Sequence, residues 1–340
     1  MSRGHQIGLD IGRGRVKVAQ RDGQGRIVRL ASMRRRDGQG VIGDDAELIA
    51  DALERKGFDR HPVVVGACMT EARIDEIELP VLASSAPVER LVRGEVARLA
   101  RWKNDEYVAS WWAIPPAMRT PPTSAMLVVS CPNSVSEAWA EPLARAGLDV
   151  VAVDVRQGAI VRACSMKAQA AGLMLVADIG WGSTELSAWM CGELVFVRSL
   201  EGRGLESASA LLANVECDRV MAFERLVLES EKPVNACTAR WVRRVEGSVG
   251  NLGLEISREI EKTLVYLTRR FGGSDVARTW VAGGGAGVGR MMRVIEDRLG
   301  AIGICKPLEL MEVVGQAATH GADPMFVTAC GLAQWGGGNT

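Results

Sequence analysis

Histidine is almost missing from this 340-residue sequence: His5, His61 and His320 are the three present, and none lies in a metal-binding or nucleophile motif. Without a partnered imidazole, a hydrolase triad or a histidine metal centre has no starting point. Long apolar runs are missing too. Nothing approaches the ~18 residues of a membrane span, and Asp10 interrupts the first apolar stretch, so neither a membrane helix nor a signal peptide is expected. The chain reads as cytoplasmic. Net charge is absent, with 41 Lys and Arg against 41 Asp and Glu, so no overall field draws a nucleic acid or an anionic membrane. The local basic run Arg34, Arg35 and Arg36, with Arg26 and Arg29 nearby, reads as a solvated loop. The eight cysteines contain no C-x-x-C pair, which indicates buried reduced thiols rather than a disulfide or zinc framework.

What the sequence does have is a repeat. Residues 7–20 read IGLDIGRGRVKVAQ and residues 175–189 read LVADIGWGSTELSAW, so Asp10, Ile11, Gly12 and Gly14 match Asp178, Ile179, Gly180 and Gly182 in spacing. In each copy an apolar strand ends in an Asp, two glycines turn the chain tightly, and a second strand of period two leaves. The length exceeds one ordinary hydrophobic core, so a two-lobed protein with one hairpin per lobe fits. Hydrophobic residues at 47% and charged residues at 24% supply a globular interior.

The hairpin tips carry the chemistry. A glycine turn brings backbone N–H groups close to an anion and forms a concave nest for phosphate oxygens. Asp10 and Asp178 suit magnesium better than phosphate, because that ion favours carboxylate, water and phosphate oxygens. Two facing tips would grip one polyphosphate. Between them run expected helices over residues 46–56, 88–102, 134–146 and 156–172, and strands over 61–69, 71–79, 108–114, 125–131 and 148–155. Beyond the second hairpin, helices are expected over 205–213, 217–228 and 249–271, with a charged loop over 230–239. A third glycine turn, with five glycines among residues 283–289, opens into a helix over 290–299. Its free amide groups and close backbone favour an anion, a ribose or a flat base.

These three motifs, in this order, resemble the actin-like ATPase superfamily. The resemblance implies an α/β, duplicated actin-like two-lobed fold, with Gly12, Arg13, Gly14 and Arg15 in the first phosphate loop and Gly180, Gly182, Ser183 and Thr184 in the second. It implies ATP or ADP with Mg as the cofactor, Asp10 and Asp178 at the metal, and Gly283, Gly284 and Gly285 at the adenosine. Lys17, seven residues after Asp10, stands where actin has a phosphate-binding lysine, and Arg225 is placed near the base or ribose. Arg13 and Arg15 replace the usual small residues. Trp181 replaces a carboxylate that positions water around the metal. Arg156 stands where these ATPases carry the Gln or Glu that orients the attacking water, and a guanidinium cannot accept that hydrogen bond. The protein is therefore expected to be at most a weak ATPase.

Residues 80–152, including the AGLDVVAVDV run that continues to residue 155, narrow the resemblance to the PilM proteins of type IV pilus machines, which are related to FtsA. Four units are then implied: 1–79 with 153–172 and 318–335 as the first lobe, 80–152 as an inserted subdomain of the 1C type, 173–213 with 277–317 as the second lobe, and 214–276 as a helical subdomain. The implied partner is the N-terminal cytoplasmic peptide of a PilN-like inner-membrane protein, which would be the sole link to the inner face of that membrane. Trp102, Tyr107, Trp111 and Trp112 in the insert are either anchors for that peptide or core. A homo-oligomer stays open. The alternatives are an FtsA-like cell-division tether, which would need an amphipathic membrane helix, and a small-molecule kinase of the same superfamily, which would need a carboxylate base.

Overall fold

The computed structural model describes residues 4–35, 45–58, 61–67, 72–80, 87–103, 106–115, 123–168, 172–190, 192–209, 236–271 and 276–336. The chain opens with three antiparallel strands, β1 (Gln6–Ile11), β2 (Arg15–Arg21) and β3 (Ile27–Arg34). It crosses through α1 (Ala46–Arg55) to β4 (Val63–Ala67), which lies parallel to β1. An excursion follows: β5 (Arg73–Pro80), α2 (Val88–Ala100), β6 (Tyr107–Ala113) and β7 (Thr123–Pro132). Then α3 (Asn133–Arg145) returns the chain to β8 (Val150–Val155), parallel to β4.

The second half repeats this plan. After α4 (Arg156–Ala168) come β9 (Leu173–Ile179), β10 (Ser183–Met190), β11 (Glu193–Glu201), α5 (Leu205–Ser209), α6 (Ala236–Phe271), β12 (Val276–Ala282), α7 (Gly289–Leu299) and β13 (Gly303–Ile304). The two five-stranded sheets have the orders β3-β2-β1-β4-β8 and β11-β10-β9-β12-β13. Strand for strand they are the same sheet, so the doubled motif reflects a doubled fold. In both, the central strand is buried on both faces, which explains the near-continuous apolar runs of β1 and β9.

Two short helices close the chain, α8 (Pro307–Leu310) and α9 (Val327–Leu332). Although α9 comes last, it packs against β1. A Cβ on Gly8 would stand 2.1 Å from the Ala329 carbonyl oxygen, and one on Gly331 would stand 1.8 Å from that of Ala159 in α4. Strand, α4 and α9 therefore touch backbone to backbone. The Arg162 guanidinium adds a hydrogen bond to the Gly331 carbonyl at 3.1 Å.

The insert has its own sheet, β5-β7-β6, with Val92 and Val96 of α2 packed on Ile77, Leu79, Tyr107, Met126 and Val128. That sheet begins at Arg73, ahead of the boundary expected at residue 80, because Pro80 ends a paired strand opposite Thr123. Trp139 and Leu143 of α3 pack in the core of the first lobe. The insert also reaches the second lobe: Trp112 donates to the Leu194 carbonyl at 2.7 Å, and Glu76 pairs with Arg270 of α6.

Two helices differ from expectation. Residue 101 is left-handed, with φ 59°, so α2 stops before Trp102 instead of including it. The loop expected over 230–239 gives way to α6 from Ala236, well before residue 249. Charge and Gly247 hide its periodicity, while Gly253 has a packing role, since a Cβ there would lie 3.1 Å from Met291 Cγ in α7. The helix expected over 217–228 lies outside the described residues, as does the part of the 205–213 helix beyond α5.

Candidate functional site

Both hairpin tips are closed by the same bond, Gly12 N–H to Arg15 O at 2.9 Å and Gly180 N–H to Ser183 O at 3.0 Å. The first two amides of α5 donate to the second tip, Leu205 to the Gly180 carbonyl at 3.1 Å and Glu206 to that of Trp181 at 2.8 Å. The tips face each other across the lobes. A Cβ on Gly182 would lie 2.6 Å from Arg13 Cδ, and one on Gly14 would lie 3.2 Å from Trp181 Cγ. Each tip's middle residue thus covers the second glycine of the other tip. Arg13 also makes a long ion pair with Glu206, at 4.0 Å.

Behind the tips is a buried charge network. Asp10 stands opposite Lys17 in the β1–β2 register, and Asp178 opposite Glu185 in β9–β10. Lys17 Nζ lies 2.7 Å from Asp10 Oδ2. Arg156, the first residue of α4, reaches both halves: its Nε is 3.2 Å from Asp10 Oδ1 and its Nη2 is 3.4 Å from Asp178 Oδ2. Gln157, fully buried, donates to Glu185.

The three carboxyls titrate differently for identifiable reasons. Burial pushes Asp10 up, but Arg156 and Lys17 together outweigh it and hold the group below its ordinary range. Burial raises Asp178; Arg156 opposes the rise and Asp10 adds to it. Burial also raises Glu185, to about 7, with Arg156 opposing and Asp178 and Asp10 contributing. The best-paired carboxylate stays charged, and the one without a cation of its own is drawn toward neutrality.

The third glycine turn backs onto this network. Gly283 is left-handed, with φ 79°, and a Cβ on it would stand 2.2 Å from Asp178 Oδ1; one on Gly285 would stand 2.3 Å from Ile179 Cγ2. Gly284, half-buried, has only Leu205 near its Cβ position, at 3.9 Å. Thr184 is buried and its hydroxyl donates to the Arg203 carbonyl, whereas Ser183 is half-buried. Arg15 donates to the Ser32 hydroxyl at 2.9 Å. Arg225 lies outside the described residues. In the insert, Tyr107 is buried with its hydroxyl donating to Arg93 O at 3.0 Å, and Trp112 is bonded to the second lobe. Trp102 and Trp111 remain partly exposed.

One residue of the network, Glu185, carried no signal in the motif reading. Glu185 follows Asp178 by seven positions, as Lys17 follows Asp10, so the offset that singled out the lysine also marks this carboxylate. Gln157 holds Glu185 from the head of α4. Asp323 is a further acidic neighbour: burial raises it, while the Met325 amide, Arg15, His320 and Lys17 oppose the rise.

A divalent metal does not fit the expected pair. Magnesium needs carboxylate oxygens open to it in octahedral geometry, with several waters. Here Lys17 and Arg156 stand 2.7 and 3.2 Å from the oxygens of Asp10 and Arg156 lies 3.4 Å from Oδ2 of Asp178, so the charge a divalent ion would balance is already met, although neither Asp10 oxygen receives a well-directed hydrogen bond. Of the first hairpin's cations, Arg13 is 45% exposed at the tip, whereas Lys17 is paired with Asp10 and Arg15 donates to Ser32.

No protein-family model matches the sequence, and no curated protein matches it at a significant level. Solved structures do match in fold. A chain of a PilM–PilN type IV pilus biogenesis complex superposes over 98% of this chain and 99% of its own length, with TM-score 0.78 and 21% identity. The ethanolamine utilization protein EutJ from Carboxydothermus hydrogenoformans covers 98% of this chain and 90% of its own, with TM-score 0.54 and 17% identity. The chain thus has the PilM-like, actin-type fold that the motifs implied, α/β and two-lobed with an inserted subdomain.

Proposed function

We propose that this chain is a cytoplasmic actin-like scaffold of a type IV pilus or a related envelope machine. On this reading it holds the N-terminal cytoplasmic peptide of a PilN-like inner-membrane protein and binds ATP or ADP between its hairpin tips. The observation that carries the reading is the end-to-end superposition on a chain of the PilM–PilN complex, insert included. Phosphate contacts fall to Arg13, Lys17 and the glycines of both tips, and adenosine contacts to the turn at Gly283, Gly284 and Gly285. Among the described residues no helix is long and apolar enough to cross a membrane, so the link to the inner face runs through the partner. Trp102, Trp111 and Trp112 are partly exposed, and Trp102 and Trp111, whose indoles are not bonded to the second lobe as that of Trp112 is, are the aromatic positions offered to a peptide.

Slow or absent turnover follows from Arg156. It occupies the head of α4, is always protonated, and is held by two carboxylates, so it cannot orient an attacking water. Glu185, the carboxyl nearest to neutrality, is closed off from solvent and engaged by Gln157, which leaves it out of reach of a kinase acceptor.

The test is a pull-down with the cytoplasmic N-terminal peptides of membrane proteins encoded beside this chain, run with and without ATP. Retention of one such peptide, weakened by Trp102→Ala or Trp111→Ala, is the expected result; no retention of any of them rejects the scaffold role. Phosphate release faster than about one per second, an ordinary enzymatic rate, rejects the slow-turnover half.

A further inference from the structure

The carboxylate pair is neutralised from within the chain. Arg156 Nε and Nη2 lie 3.2 and 3.4 Å from oxygens of Asp10 and Asp178, so one guanidinium joins a carboxylate from each lobe. Its side chain is only 12% exposed, and the backbone that aims it is the first turn of α4, fixed against α9. A buried guanidinium stays charged at every working pH, so it balances charge on both carboxylates, by a hydrogen bond to Asp178 and by ion pairing with Asp10. With Lys17 Nζ 2.7 Å from Asp10 Oδ2, two fixed cations already balance the charge of the two carboxylates.

We infer that Arg156 is a resident cation standing where a divalent ion would join the two carboxylates, so that the cleft takes a nucleoside di- or triphosphate as the bare anion and not as its magnesium complex. The inference rests on the nucleotide reading above and names the ligand form that reading leaves open. The mouth of the cleft agrees with it. Arg13 lies across Gly182 at the opposite tip, is 45% exposed, and among the described residues is held by one long pair, to Glu206. Turned from Glu206 toward the tips, it supplies the positive charge on phosphate oxygens that magnesium otherwise brings.

The experiment is calorimetric titration of the whole chain with ATP, once in excess EDTA and once in excess magnesium chloride, with manganese added alone in a parallel electron paramagnetic resonance titration. Binding at least tenfold weaker in excess magnesium than in EDTA is expected, a difference of about 1.4 kcal/mol or more, because excess magnesium converts nearly all of the ATP into the complex that the cleft does not take. An affinity in magnesium equal to or tighter than that in EDTA overturns the inference and leaves nucleotide binding intact; no heat in either buffer removes the nucleotide reading and the inference with it. In the manganese arm wild-type protein should show no stoichiometric site. A site that disappears in Asp178→Asn overturns the inference without reference to nucleotide. Arg156→Gln should gain a manganese site at least tenfold tighter than any in wild type, and a folded variant without that gain also overturns it. If Arg156→Gln does not fold, the two wild-type titrations decide.

Discussion

Replacing Glu185 by Gln should stabilise the protein in alkaline solution and leave it unchanged in acid. Glu185 is 3% exposed and faces Asp178 across the β9–β10 ladder, and its pKa rises from an ordinary 4.5 to about 7 because burial disfavours the charge. A carboxyl raised in this way binds its proton more tightly in the folded chain than in the unfolded one. Its favourable share is complete below pH 4.5, shrinks as pH climbs toward 7, and is gone above that. At about 1.4 kcal/mol per pH unit, the interval amounts to roughly 3 kcal/mol. Gln has the shape of the protonated acid, so it keeps the contact with Gln157 and avoids the ionisation. Urea denaturation of wild type and Glu185→Gln should give nearly equal stabilities near pH 4, with the variant ahead by about 3 kcal/mol near pH 8. A gap independent of pH, or a variant weaker than wild type at pH 8, would refute the assignment of a high-pKa carboxyl to this site.

Removing the guanidinium should have the opposite effect. Arg156→Leu leaves two buried carboxylates facing each other, and a loss of about 3 kcal/mol or more is expected in the same denaturation assay; a loss under 1 kcal/mol would show that the pair is not held by Arg156. Gly331→Ala drives a methyl into the Ala159 carbonyl, 1.8 Å away, and should lower stability by roughly 2 kcal/mol or more as α4 and α9 separate. Trp112→Phe strands the Leu194 carbonyl at the join of insert and second lobe and should cost about 1 kcal/mol. Faster hydrogen exchange in β6 and β11 should accompany that loss, and unchanged exchange there would mean that the bond does not hold the join.

The doubled architecture was legible because its signature is local: an apolar strand, an Asp, two glycines and a strand of period two. Arg156 was legible too, as a residue of the wrong chemistry at a helix head. What local pattern could not supply was distance across the lobes. Nothing in RGR or GWGS says that Arg13 would lie on Gly182 and Trp181 on Gly14, because those contacts join residues about 170 positions apart and exist only once both lobes are folded. The metal role given to Asp10 and Asp178 followed from their chemistry in isolation, and Arg156 alters that chemistry only once the chain is folded. Glu185 lies in a strand buried on both faces, between buried Thr184 and Ser187, and only that burial and its place opposite Asp178 give it a role. The early start of α6 was hidden by charge and by Gly247, whose cost to a helix a long hydrophobic stripe overrides.

The backbone seat of α9 on β1 also orders events during synthesis. Gly8 is bare so that Ala329 and Ala333 can rest on it, and those residues leave the ribosome after everything else in the first lobe. Until they arrive, the opening sheet has one side of its core uncovered, and the nascent chain must wait in that state while the entire second lobe is made. A chain whose residues from 327 on are still inside the ribosome would therefore display a finished second sheet beside an unfinished first one, a natural substrate for chaperones and proteases.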